Sequence, residues 1–217
     1  MTMFVSPIRL STEQRQLVHM ACSLLLDYPN ASFVETLDAV ESQLATLPAP
    51  IADHLDAFCT YVRDRGIRAL AEHYVTTFDQ RRRCSLYLSY YAVGDTRQRG
   101  AAIVAFQDAI RGLGFELTRK ELPDHACVVL EASARADAAS HRAAVDMLAA
   151  HRDGLEVLRT ALEDLSSPYC HVITALCMSL PEIDAETKAY YHDLIRQGPP
   201  AELVGIGTPL PFPTSVN

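Results

Sequence analysis

Apolar residues recur every three or four positions along most of this chain. Leu17, Met20, Ala21, Leu24 and Leu25 form one such stripe, which predicts an amphipathic helix over residues 12–27. Ser11 or Thr12 is placed to cap it, and Tyr28-Pro29-Asn30 to stop it. Ser32 and Glu35 have the spacing of a capping box. Leu37, Val40, Leu44 and Leu47 then carry a second helix to Pro48. A third is predicted over 50–65, with Leu55, Phe58, Cys59 and Val62 inward and Gly66 as its stop.

The same period predicts a fourth helix over 67–79 and a fifth over 82–92. Asp95, with Gln98 three residues on, is placed to cap a sixth, lined by Ala102, Phe106, Ala109, Ile110 and Leu113. Residues 115–122 read as a loop. Pro123 and Asp124 suit the first turn of a seventh helix, which runs to residue 135. Residues 138–165 are helical and alanine-rich, with an interruption expected near Gly154, and 169–180 and 186–196 complete the helices. No segment alternates with period two. The fold expected is all-α: a single-domain bundle of roughly nine to eleven helices over residues 1–197.

Residues 198–217 break the pattern. They hold five of the twelve prolines and three of the nine glycines, which excludes helix. A flexible tail is expected, and a strap across the body is the alternative.

Composition narrows the possible roles. Hydrophobic residues make up 49% of the 217, enough for a sizeable core. The net charge of −8 argues against general nucleic-acid binding, which needs a basic face. Residues 1–7 lack a basic stretch leading into an apolar run, so no signal peptide is expected. No apolar run approaches the roughly 20 residues of a membrane span, so a cytoplasmic protein without stable membrane insertion is expected. The six cysteines are scattered, with no CxxC pair, and read as small buried hydrophobes.

Signatures of catalysis are missing. There is no GxxxxGK[ST], HExxH or GxSxG, and no Glu-x-x-His pair of the di-iron type. His19 with Cys22, and Cys170 with His171 and Cys177, supply too few local ligands for a tetrahedral metal. Neither a catalytic residue, a bound metal nor a resident cofactor is expected.

The chemistry-bearing residues gather between 74 and 131. Residues 79–99 carry five arginines against two aspartates. Such a cluster suits either an anion site or internal pairing with Glu72, Asp79, Asp95 and Glu131. Tyr74 and Phe78 stand four residues apart, as do Tyr87 and Tyr91, with Tyr90 offset. That spacing fits core packing, or a groove for an apolar peptide helix. Pro123-Asp124-His125 brings a carboxylate and an imidazole to a helix start. Asp124 suits capping there, and His125 suits a hydrogen bond to a neighbour or to a ligand.

At these residues the chain resembles the NarJ-type nitrate reductase molybdenum cofactor assembly chaperones, within the wider group of redox-enzyme maturation chaperones. The matching pieces are Tyr74-Val75-x-Thr77-Phe78-Asp79, Arg82-Arg83-Cys84 with Leu86-Tyr87-Leu88, Tyr90-Tyr91, and Gly94-Asp95-Thr96-Arg97-x-Arg99-Gly100. Gly114-Phe115-Glu116, Glu121-Leu122-Pro123-Asp124-His125 and Leu130-Glu131 complete them, and Leu24-Leu25-x-x-Tyr28-Pro29 is a fainter echo. The resemblance implies a chaperone with no enzymatic activity. Its partner would be the N-terminal segment of the nitrate reductase catalytic (alpha) subunit, held for insertion of molybdenum cofactor and iron–sulfur cluster before membrane docking. Another molybdoenzyme of the dimethyl sulfoxide and trimethylamine oxide reductase group is the alternative client. A phospho-ligand-binding helical protein is a further alternative. By the same resemblance the client-peptide-binding residues would be Tyr74, Phe78, Asp79, Tyr87, Tyr90, Tyr91, Asp95, Arg97, Pro123, Asp124 and His125. Monomer and dimer both remain open.

Overall fold

Ser11 closes the first helix from both sides: its hydroxyl accepts from the Gln14 N–H, and its own N–H donates to Gln14 Oε1. That helix is α1 (Thr12–Leu25). The computed structural model describes residues 5–94, 97–117 and 121–182, with the backbone alone for Arg97 and Gln98. Nine more α-helices follow α1: α2 (Phe33–Glu41), α3 (Ala49–Arg65), α4 (Ile67–Tyr74), α5 (Leu88–Val93), α6 (Arg97–Gly112), α7 (Ala126–Arg135), α8 (Ala138–Ala150), α9 (Arg152–Asp164) and α10 (Tyr169–Ser179). Among the described residues there is no strand, only a single bridge between Tyr87 and His125. The all-α expectation is met. The predicted helix over 186–196 and the proline-rich tail lie outside the described residues.

α1 and α10 form the centre. α1 packs against α7 and α10, and α10 against α3 and α9. Val18, Cys22 and Leu25 of α1 meet Val172, Ile173 and Leu176 of α10 in an interior closed to solvent. Apolar burial of this kind supplies the main driving force for the bundle. Five of the six free cysteines belong to this interior, and Cys170 is partly exposed.

Four local expectations need correction. Ser32 and Glu35 do not form a capping box. The Ser32 hydroxyl and N–H both turn back to Asn30 Oδ1, at 2.7 and 2.9 Å, in an Asx turn, and the hydroxyl makes no cap bond to the helix. The second helix stops at Glu41, and a 3₁₀ turn, Leu44–Thr46, replaces its predicted end. The predicted helix over 82–92 is split into a 3₁₀ turn, Arg82–Cys84, an extended stretch, and the short α5. Pro123 and Asp124 precede α7 rather than start it, and His125 is its N-cap, its Nδ1 accepting from the Cys127 N–H at 3.3 Å.

The break in the alanine-rich region falls at His151, and Gly154 sits inside α9. Its role there is close approach: a Cβ on Gly154 would lie 2.7 Å from Tyr91 Cβ. Gly154→Ala is therefore expected to destabilise by about 1–3 kcal/mol, despite the better helix propensity of alanine. The measurement is a lowered urea midpoint at unchanged slope.

His19 on α1 is fully buried, with its ring nitrogens 2.8 Å from Ser133 Oγ and 3.2 Å from Ser179 Oγ. Burial pushes its pKa down to about 3, aided by His141 and Arg15. The unfolded imidazole titrates near 6.5, so below that pH the unfolded chain binds a proton that the folded one refuses. Between pH 6.5 and 3 this group therefore removes stability, by about 1.4 kcal/mol per pH unit at its steepest. His19→Gln should flatten the stability–pH profile by that slope, read by urea denaturation at stepped pH.

Candidate functional site

α4 does not end cleanly at Tyr74. It runs on through a single wide π turn, Val75–Asp79, closed by the Gln80 N–H on the Val75 carbonyl. Arg81 Nε donates to the Thr76 carbonyl at 3.3 Å and supports this turn. The turn sets the Phe78 ring beside Tyr74, centroids 4.8 Å apart, and leaves Asp79 exposed. Tyr169 at the start of α10 lies beneath both, 4.8 Å from Phe78 and 5.9 Å from Tyr74.

The facing wall comes from two loops that pair. The Ala126 N–H donates to the Leu86 carbonyl at 2.8 Å, and the Leu88 N–H to the Asp124 carbonyl at 2.9 Å. This pairing holds Tyr87 edge-on to His125, with centroids 5.1 Å apart. Arg99 lies over the Tyr87 ring at 4.9 Å, and the Tyr87 hydroxyl stands 3.5 Å from Glu121. A third wall is the end of α1, where Tyr28 meets Tyr74 edge-on at 5.4 Å.

These walls enclose an open cleft of about 610 Å³. Its floor is aromatic, from Tyr28, Tyr74, Phe78, Tyr87 and Tyr90. Its rim sets Asp27, Asp79 and Glu121 against Arg81, Arg82 and Arg99. Burial raises the phenol pKa of both Tyr74 and Tyr87, and nearby acidic groups add to this, so both stay neutral. Such a surface can bury an apolar face and read charge at its edge. It offers no activated thiol, because the neighbouring Cys84 is buried and its pKa is pushed up to about 11. Among the described residues, no three or more metal-ligating side chains converge, and no helix is long and apolar enough to cross a membrane.

The cleft brings together six of the sequence candidates: Tyr74, Phe78, Asp79, Tyr87, Tyr90 and His125. Tyr91, Pro123 and Asp124 lie outside its lining. Tyr91 turns inward, its hydroxyl donating to the Arg83 and Ser85 carbonyls at 3.0 and 3.1 Å. Pro123 is buried, and the buried Asp124 accepts from the Ser89 hydroxyl at 2.5 Å. These three shape the wall. Asp95 and the Arg97 side chain lie outside the described residues.

Sequence reasoning left Asp27, the last residue of its first helix, and Tyr28, part of its stop signal, off the site, along with Arg81, Arg99 and Glu121. Tyr28 is 49% exposed, an unusual position for a ring beside a proline turn, and its faint match to the family was the available signal. Of the carboxylates offered as partners for the arginine cluster, Glu72 pairs with Arg68 at 3.1 Å, and Glu131 has an ion pair with Arg135 at 3.0 Å.

Residues 44–175 match the family described as nitrate reductase delta subunit. The chain is 36% identical over 160 residues to the nitrate reductase-like protein NarX of Mycobacterium tuberculosis, covering 74% of this chain and 24% of that relative. It is 29% identical over 175 residues to the probable nitrate reductase molybdenum cofactor assembly chaperone NarJ of Bacillus subtilis, covering 80% and 94%. It is 30% identical over 112 residues to the nitrate reductase molybdenum cofactor assembly chaperone NarJ of Escherichia coli, covering 50% and 48%. The chain thus spans about a quarter of the NarX relative and nearly all of the Bacillus one.

Proposed function

Because this chain belongs to the nitrate reductase delta subunit family, we propose that it is an assembly chaperone for a nitrate reductase. Its client is the N-terminal segment of the catalytic subunit. The chaperone holds that subunit in the cytoplasm, open to molybdenum cofactor and iron–sulfur insertion, and delays membrane docking until loading is done. It makes no covalent change to its client and is absent from the finished enzyme.

The observation that carries this reading is the aromatic cleft with its balanced rim. A peptide helix laid on Tyr74, Phe78 and Tyr87 gains about 25 cal/mol per Å² of apolar surface removed from water. Ordering the peptide takes back about 2–5 kcal/mol. The remainder corresponds to roughly micromolar binding, tight enough to hold a client and loose enough to release it. A phosphorylated small molecule fits this rim poorly, since Asp27, Asp79 and Glu121 border the same space as the arginines.

In a host deleted for this chain, the nitrate reductase catalytic subunit should accumulate depleted of molybdenum, measured on the purified subunit. Supplying the chain should restore the metal. A fully loaded subunit in the deleted host would contradict the chaperone role.

A further inference from the structure

We propose that the aromatic cleft also takes a segment of this same chain, Pro209-Leu210-Pro211-Phe212-Pro213, which thereby competes with the client. The regulatory half of this inference rests on the client-binding reading of the cleft. The contact itself does not.

Three observations point to it. First, the cleft is lined by five aromatic rings, those of Tyr28, Tyr74, Phe78, Tyr87 and Tyr90. Aromatic-lined grooves recognise proline-rich chains, because alternating prolines pre-set a polyproline helix that loses little entropy on docking. Second, the sequence holds such a segment, with prolines at 209, 211 and 213 and apolar Leu210 and Phe212 between them. Residues 203–217 carry no charged side chain, so this stretch gains from apolar burial and owes nothing to the rim.

Third, the geometry allows it. The chain leaves α10 at a fixed point, because Arg152 donates to the Leu180 and Pro181 carbonyls. α10 begins at Tyr169, directly beneath Tyr74 and Phe78, and its 11 residues rise by about 16 Å. The departure point is therefore about 20 Å from the cleft floor. From Glu182 to Pro209 is 209 − 182 = 27 residues. A linker of that length spans about 30 Å root-mean-square, comparable with the gap.

Tethering makes even weak binding count. A linker matched to its span gives an effective concentration of about 1 mM. A segment with a free-peptide Kd of about 100 µM would then occupy about 90% of clefts. It would weaken apparent client affinity about tenfold, a barrier that a true client overcomes and a weak competitor does not.

The test uses the full chain with Phe212 replaced by p-benzoyl-phenylalanine, irradiated at low concentration, with cross-links mapped by mass spectrometry. Intramolecular cross-links to residues 74–90 or 121–125 are expected. Cross-links elsewhere on the body, cross-links between copies, or none would overturn the contact. In parallel, full chain carrying Leu210→Asp with Phe212→Asp is titrated with a synthetic N-terminal peptide of the nitrate reductase catalytic subunit. Its affinity should be about tenfold tighter than that of the unaltered chain. Cleft cross-links with unmoved peptide affinity would overturn the competition while leaving the contact standing. Cleft cross-links with no peptide binding in either chain would instead sink the client reading of the cleft.

Discussion

Arg152→Ala lowers the stability of this protein by about 3–5 kcal/mol, the effect of stranding the carbonyls that its guanidinium holds and removing one of the cations beside a buried carboxylate. Arg152 is 1% exposed, and its two terminal guanidinium nitrogens join separate parts of the chain. Nη1 donates to the Leu180 carbonyl at 2.7 Å and also to that of Pro181. Nη2 donates to the Val5 carbonyl at 2.7 Å and lies 3.6 Å from Glu156, itself closed to solvent. Truncation to alanine strands three carbonyls, while Glu156 keeps its ion pair with Arg159 at 2.8 Å. The cost falls where the segment before α1 and the end of α10 are held against α9. Urea denaturation measures it. A loss below about 1 kcal/mol would mean that water replaces the guanidinium and that the clamp is unimportant.

If the cleft holds the client as proposed, Phe78→Ala is expected to weaken client-peptide binding by about 2 kcal/mol, roughly 30-fold, the effect of losing an aromatic anchor. Phe78 is half-buried, and its inner face rests on Tyr169, so the variant loses some packing but keeps the surrounding helices. Helical circular dichroism should therefore be unchanged while the calorimetric Kd rises. Val104, 54% exposed on α6 and outside the cleft lining, gives the matched control: Val104→Ala should bind as the unaltered chain does. Collapse of helicity in Phe78→Ala would assign that ring to the core instead of the binding surface.

Much of the bundle was legible because its signals are local. The Ser11 cap, the Leu17-to-Leu25 stripe and Gly66, whose φ of 83° favours glycine, each act within a few residues. Residues 82–92 misled for the opposite reason. Tyr87, Tyr90 and Tyr91 have helical spacing, yet Leu86 and Leu88 are held by Ala126 and Asp124, partners that no local window contains. The same limit applied to the site. Six of the motif residues gather at the cleft, but the sequence could not give their directions. Tyr91 and Asp124 carry the same chemistry as Tyr87 and Asp79, and they point inward because Gly154 and Ser89 make room and hydrogen bonds for them. Tyr28 was missed because the end of α1 meets α4 only in the folded chain.

The most direct test of the account is calorimetric titration of this protein with a synthetic N-terminal peptide of the nitrate reductase catalytic subunit, beside a scrambled peptide of the same composition. The account predicts saturable one-to-one binding of the native peptide, near micromolar, with no response to the scrambled one. Equal binding of both, or none of either, would contradict it.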